Sequence, residues 1–442
     1  MTMRKTALLA SALALTLSAC GNRDFNKPSL LDKPRILAVK AEPPQPSYGQ
    51  TTTLSALVYQ PPIGRVPSQC ADADATSATY AWEWCPVPMV ADTAHNTYKC
   101  PITKDDLAGL YASLGLGEAP DLILGDGETM PFVNPFPAQF LYALCRGDIG
   151  SAGGIVAAGG DQKSAFSCDL PWTDAAANAG TPPRSETHPI SFNITVKVTV
   201  TPACPDLLPD GFKSLAALYS LHLPTDDTIP NNQNPVLSGI FTTENFDPPD
   251  GGVPAATTDQ DTVDGGVSSD DGGGPVEADG GQAVGAGHDG PDGSVRLEDD
   301  AVVEVKRNKH VGLLLDTDIG IAEYLPVPSN IDYTRADSIA GKPALLRHYE
   351  HLSLDWFAEA GDFNGLVGDY HTGYTPTGLP IGQDNPPDAQ DIKQFQDNIA
   401  NRLDLPKRLD YGYDTVRITV VVRDGRGGVG WTSKQVTLEP TP

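Results

Sequence analysis

The sequence predicts a mainly β protein built from two β-sandwich domains in tandem, with helical and loop insertions and one long disordered acidic loop. Three observations point there. Residues 192–200 alternate apolar and polar side chains strictly, and residues 413–422 echo that run with Val416, Ile418, Val420 and Val422 on one face. A tryptophan strand appears twice, at Trp82 and Trp84 and again at Trp356. Gly 44 and Pro 40 suit turns and edges better than a compact helical protein.

The amino terminus is the first element. Arg4 and Lys5 precede an apolar run that ends Leu17-Ser18-Ala19-Cys20. That is a charged n-region, an h-region too short to span a bilayer, and a small-residue cleavage site. A Leu, two small residues and a Cys resemble the lipobox of bacterial lipoproteins. The resemblance implies that residues 1–19 are removed and that Cys20 carries lipid on its sulfur and new amino group. Two or more acyl chains anchor firmly where one does not. Residues 20–33 are then a flexible tether. Gly21 stands where inner-membrane lipoproteins commonly carry Asp, which implies the outer membrane.

Residues 34–232 form the first domain. Residues 35–41 read as a short strand stopped by Pro43 and Pro44. Residues 51–59 alternate, with Leu54, Ala56 and Val58 on one face, and residues 80–85 hold the tryptophan pair. That opening suits an immunoglobulin-like sandwich, but Ala56 stands where the first cysteine of its inter-sheet disulfide is expected. From about 86 to 187 the strand rhythm is lost, and the stretch reads as a disulfide-stapled excursion. Within it, Thr103 and Asp106 form a capping box ahead of Leu107, Leu110 and Leu114, and a short helix covers 138–145.

Residues 233–442 repeat the plan. A leading strand covers 235–240, a strand pair 303–316, the tryptophan strand 352–357, and a closing hairpin turns at 424–428. Ile392, Phe395 and Ile399 have helical spacing. A Tyr ahead of an alternating strand that ends Asp424-Gly425 resembles PKD-like and bacterial Ig-like domains. Residues 247–294 contain no Lys, Arg or aromatic residue, and Asp and Gly dominate. Such a chain buries too little apolar area to offset its ordering entropy, so a disordered loop is expected over about 247–300.

Composition narrows the function. Thirty Lys plus Arg face 57 Asp plus Glu, a net charge of -27, which disfavours nucleic acid as a partner. Beyond Cys20 stand Cys70, Cys85, Cys100, Cys145, Cys168 and Cys204. An even set in an exported chain reads as disulfides, with the pairing left open. If Cys85 and Cys100 pair, the loop of roughly 15 residues adds about 3 kcal/mol.

Asp259, Asp261 and Asp264 approach a Ca²⁺ loop, but the third Asp is one place late and no Glu closes the loop. They are weak metal candidates, and no cofactor is expected. Gly425, Gly427 and Gly430 match G-x-G-x-x-G, yet no helix can follow in the remaining residues, so the match reads as a hairpin turn. His348 and His351, with Glu350 and Asp355, sit at a spacing that points the two imidazoles to opposite faces of a strand. Catalytic residues are not evident. Tryptophans 82, 84, 356 and 431 read mainly as core, with one free to serve as a sugar platform.

The lipobox, tryptophan strand and closing hairpin together resemble envelope lipoproteins of high-GC bacteria such as myxobacteria. The expected function is therefore a non-enzymatic, membrane-tethered binding or adhesion module for an envelope protein or polysaccharide. Two alternatives stay open: an envelope-polymer hydrolase with its site in the insertions, and a structural spacer of an envelope complex.

Overall fold

The computed structural model describes residues 29–62, 78–93, 97–146, 166–169, 191–209, 212–227, 231–243, 295–297, 303–305, 310–317, 322–327, 344–349, 352–363, 372–374, 401–404, 415–424 and 426–438. The fold is mainly β, with two α-helices among the described residues. The acidic loop and Ile392, Phe395 and Ile399 lie outside them.

The first part of the chain gives β1 (Arg35–Glu42), β2 (Thr51–Tyr59), β3 (Thr79–Cys85), β4 (Val90–Asp92), β5 (Thr97–Lys99), α1 (Lys104–Leu114), β6 (Ile123–Asp126), β7 (Thr129–Val133), α2 (Ala138–Arg146), β8 (Ser167–Asp169), β9 (Ser191–Thr201) and β10 (Leu215–Pro224). One sheet runs β1-β2-β7 and the other β10-β9-β3-β6, with β8 also paired to β9. Alternation along β9 sends Phe192, Ile194, Val196, Val198 and Val200 inward, all buried. Trp82 and Trp84 are buried beside them on β3. Each indole N–H donates at 2.7 Å, Trp82 to Gly127 O and Trp84 to Asp121 O. Those acceptors flank β6, so the tryptophans fix the edge of the sheet as well as filling the core.

The stretch expected as a stapled insertion carries disulfides at Cys85–Cys100 and Cys145–Cys168, and its described residues also join the two sheets. They supply β6 to one sheet, β7 to the other, and both helices to the shared core. The cap of α1 forms as its sequence predicts: Asp106 N donates to Thr103 Oγ1 and Thr103 N to Asp106 Oδ2, and Gly115 ends the helix at φ +68°. Phe136 lies within 6.2 Å, centroid to centroid, of Trp84, Tyr111, Phe140 and Phe192. This cluster joins the inserted segment to the first strands. Cys85–Cys100 and Cys145–Cys168 are disulfides, and Cys204 is disulfide-bonded too; Cys70 and Cys20 lie outside the described residues.

The second part gives β11 (Leu237–Thr243), β12 (Val295–Leu297), β13 (Val303–Val305), β14 (His310–Thr317), β15 (Ala322–Val327), β16 (Ala344–Tyr349), β17 (Leu352–Ala358), β18 (Asp362–Phe363), β19 (Thr372–Tyr374), β20 (Asn401–Asp404), β21 (Thr415–Arg423) and β22 (Val429–Leu438). Its sheets run β12-β11-β14-β20-β18 and β13-β22-β21-β17-β19, with β13 parallel to β22. Leu352, Leu354, Trp356, Val416, Ile418, Val420 and Val422 build a second core.

The two cores are not independent. Val421 and Val429 of the closing hairpin belong to the first core, not the second. Strand β21 is therefore buried on both faces. Nor does the tether extend to residue 33. Leu31 N donates to Ala358 O at 2.8 Å, Ala358 N donates to Ser29 O at 2.9 Å, and Leu31 is 1% exposed. The docked end starts earlier because Leu30 and Leu31 bring apolar side chains to the end of β17.

Replacing Phe136 by Ala is expected to lower unfolding free energy by about 3–5 kcal/mol. Hydrogen exchange should then rise together in α1, α2, β3 and β9. Faster exchange confined to 104–146 would mean that the inserted segment folds apart from the sandwich.

Candidate functional site at the domain junction

Strands β1 and β10 end their respective sheets, and the turn at 424–428 enters between them. The sequence Asp424-Gly425-Arg426-Gly427-Gly428 makes this entry possible. Asp424 Oδ1 accepts from Arg426 N at 2.7 Å and Gly428 N at 2.9 Å, closing the turn from inside. Gly427 has φ +100° and rests on the His222 ring, where an added Cβ would come within 2.5 Å of Cδ2. An added Cβ on Gly428 would overlap the Asp424 carboxylate. The turn thus requires glycine at both places.

Polar contacts hold the turn. Tyr219 on β10 donates its hydroxyl to Gly427 O at 2.6 Å. Asn232 Nδ2 donates to Asp424 Oδ2 at 2.8 Å, and Asn232 N donates to Gln45 Oε1 at 2.8 Å. Asn234 accepts from Val429 N at 2.8 Å and donates to Ala41 O at 2.8 Å and Glu42 Oε2 at 2.7 Å. Arg423 reaches Leu37 O at 3.2 Å and pairs with Asp355. The amide-rich run 231–234 is the bracket that joins β1 to the closing hairpin.

Beneath Gly427 lies a second polar group. Asp169 on β8 accepts from Ser191 Oγ at 2.6 Å and Asn193 Nδ2 at 2.8 Å, and its Oδ2 sits 2.7 Å from His222 Nδ1. Burial pushes this carboxyl up, but His222, Ser191 and Asn193 outweigh it and hold Asp169 at about 2. The group contains Ser, His and Asp, yet it is not built for nucleophilic catalysis. The serine hydroxyl gives its proton to Asp169, and His222 Nδ1 is taken by the same carboxylate oxygen. The far side of the imidazole is covered by Gly427. A relay needs the serine on the imidazole nitrogen opposite the carboxylate.

On the outer side of the bracket is an open cleft of about 380 Å³, lined by Lys40, Glu42, Asn232, Asn234, Val236 and Trp431 among others. Lys40 Nζ lies 5.0 Å from the Trp431 ring centroid and 3.9 Å from Glu42 Oε2. Tryptophans 82, 84 and 356 are core, while Trp431 is half-buried and faces this cleft. It is the member of the predicted set placed to meet a ligand.

The other sequence candidates fall elsewhere. Gly427 and Gly430 are in the hairpin, as their spacing predicts, and Gly425 lies outside the described residues. His348 is on β16; Glu350, His351, Asp259, Asp261 and Asp264 lie outside the described residues. Among the described residues no group of His, Cys, Asp and Glu could hold a metal ion, and no helix is long and apolar enough to cross a membrane. The junction residues Asp169, Ser191, His222, Asn232 and Asp424 were not foreseen. One signal was available: Val420-Val421-Val422 is a continuous apolar run, which marks a strand covered on both faces.

The Asp169 group has a pH signature. A carboxyl held below its unfolded value adds stability that is present above about pH 4 and lost as pH falls toward about 2. Asp169→Asn should lower the melting temperature at pH 7 and flatten its dependence between pH 4 and 2; an unchanged acid limb would disconnect Asp169 from stability. Compared with known proteins, the chain matches no protein-family model, and no curated protein is significantly similar to it.

Proposed function

We propose that the chain is a non-enzymatic binding module of the bacterial cell envelope, held by lipid at Cys20, with two Ig-like sandwiches as its body. The observation that carries the reading is the cleft at the junction. An indole edge and a set of amide, carboxylate and ammonium groups meet there in a volume typical of ligand sites. A half-buried aromatic with hydrogen-bonding groups around it suits a sugar ring, whose faces are apolar and whose rim is polar. Polysaccharide is therefore the ligand class we favour. The strand orders β10-β9-β3-β6 and β1-β2-β7 support the Ig-like description. The lipobox residues Leu17-Ser18-Ala19-Cys20 support the anchor, with Gly21 favouring the outer membrane.

A spacer role is the second reading, favoured by the bonded junction, which fixes one sandwich against the other. The two readings separate on one experiment. Purified protein is titrated with solubilised envelope polysaccharide while tryptophan fluorescence is followed. Under the binding reading the emission shifts, and Trp431→Ala weakens binding about tenfold or more with unchanged circular dichroism. No shift with any polysaccharide, or equal affinity in the variant, overturns the assignment of this cleft and leaves the spacer.

A further inference from the structure

We propose that the 424–428 turn is a proton-operated latch between the two sandwiches, closed most firmly when the Asp424 carboxyl holds a proton. The proposal goes beyond ligand binding and does not depend on it.

The geometry is that of a carboxyl group buried at an interface without a counter-charge in contact. Asp424 is 3% exposed. Its three hydrogen bonds come from neutral donors: two backbone amides and the Asn232 side chain. Asn232 is itself 2% exposed, and its Oδ1 is buried with no hydrogen-bond partner. The local site therefore adds an uncompensated acceptor rather than a cation. The charged and titratable groups facing it are Arg426 of the same turn, His222 and Tyr219 on β10, Asp169 on β8, and Glu42 with Lys40 on β1. Of these, His222 is hydrogen-bonded to Asp169, and the charge of Asp169 partly offsets the burial of Arg426. Burial pushes Asp424 up to about 6, against the pull of Asn232, the two amides and His222.

When the latch opens, the carboxyl returns to water and to its ordinary acidity. The closed junction then binds a proton that the open one releases, across about pH 4 to 6. Opening becomes easier as pH rises through this window, by roughly a hundredfold in equilibrium constant. The sign is opposite to that of Asp169, whose window lies lower, so the two effects are separable. The motion is specific to the junction: the same turn carries Gly427 over His222 and Tyr219, and Val429 into the first core.

The test is hydrogen exchange of the full chain at pH 4.5 and 7.5, with intrinsic chemical rates divided out. Amides of 215–224 and 421–429 in the wild type should be protected more at pH 4.5, by about 25-fold, because the open-state carboxyl is already mostly ionised there. Asp424→Asn keeps an acceptor oxygen but cannot ionise, and it should show equal protection at both pH values. His222 and Asp169 are present in both proteins, so the difference isolates Asp424. A wild type equally protected at both pH values overturns the latch, as does a variant that retains the wild-type dependence. If the variant does not fold, a carboxyl carbon-13 titration of the wild type decides. A midpoint near 6 for Asp424 supports the latch, and one below about 5 overturns it.

Discussion

The structure depends on how an open sandwich edge is closed. Among the first ten strands, β1 and β10 each lie at the end of a sheet, and neither is bonded to the other. An apolar interior with such an opening must be sealed. Here the seal is the closing hairpin β21–β22, which contributes Val421 and Val429 to the first core. Each buried valine adds on the order of 1.5–3 kcal/mol. The surrounding hydrogen bonds add less, about 1 kcal/mol each, but they fix one register out of many. Asn232, Asn234 and Gln45 serve this purpose, which is why an amide-rich stretch lies between two apolar cores.

The disulfides act on the same junction indirectly. Cys145–Cys168 ties α2 to β8, and Asp169 is the next residue. The bridge therefore helps hold the carboxylate that grips His222, and His222 is the floor on which Gly427 rests. Cys85–Cys100 instead staples the end of β3 to the small cluster of Val87, Met89 and Ile102. No described disulfide links the two sheets of the first sandwich. Trp84 and Phe136 fill that space, with α1 and α2 packed beside them.

Features governed by local chemistry were legible in the sequence. The alternation of β9 and β21, the two tryptophan strands, and the Thr103 cap each express a rule that operates within a few residues. Strands β6 and β7 were not legible, because they are short and bounded by turns. Strand β10 was missed for a different reason: Leu218 and Ala216 face outward while Tyr219 and Leu221 face inward, so apolar residues occur on both faces and the contrast vanishes. The junction was hidden by distance along the chain. Asp169, His222 and Asp424 are ordinary residues where they stand, and only packing across about 200 residues brings them together. Of the cleft, the sequence offered Trp431 as one of four tryptophans, and only its place on the last strand set it apart.

The sharing of Val421 and Val429 has a consequence for biogenesis. Synthesis runs from the amino end, so β1–β10 are made long before β21 and β22. Trp82 and Trp84 of the first core are made early, but Val421 and Val429 arrive only with β21 and β22. Until then the first core lacks the cover that Val421 and Val429 give it. A chain lacking β21 and β22 would leave the first core open as well as the second.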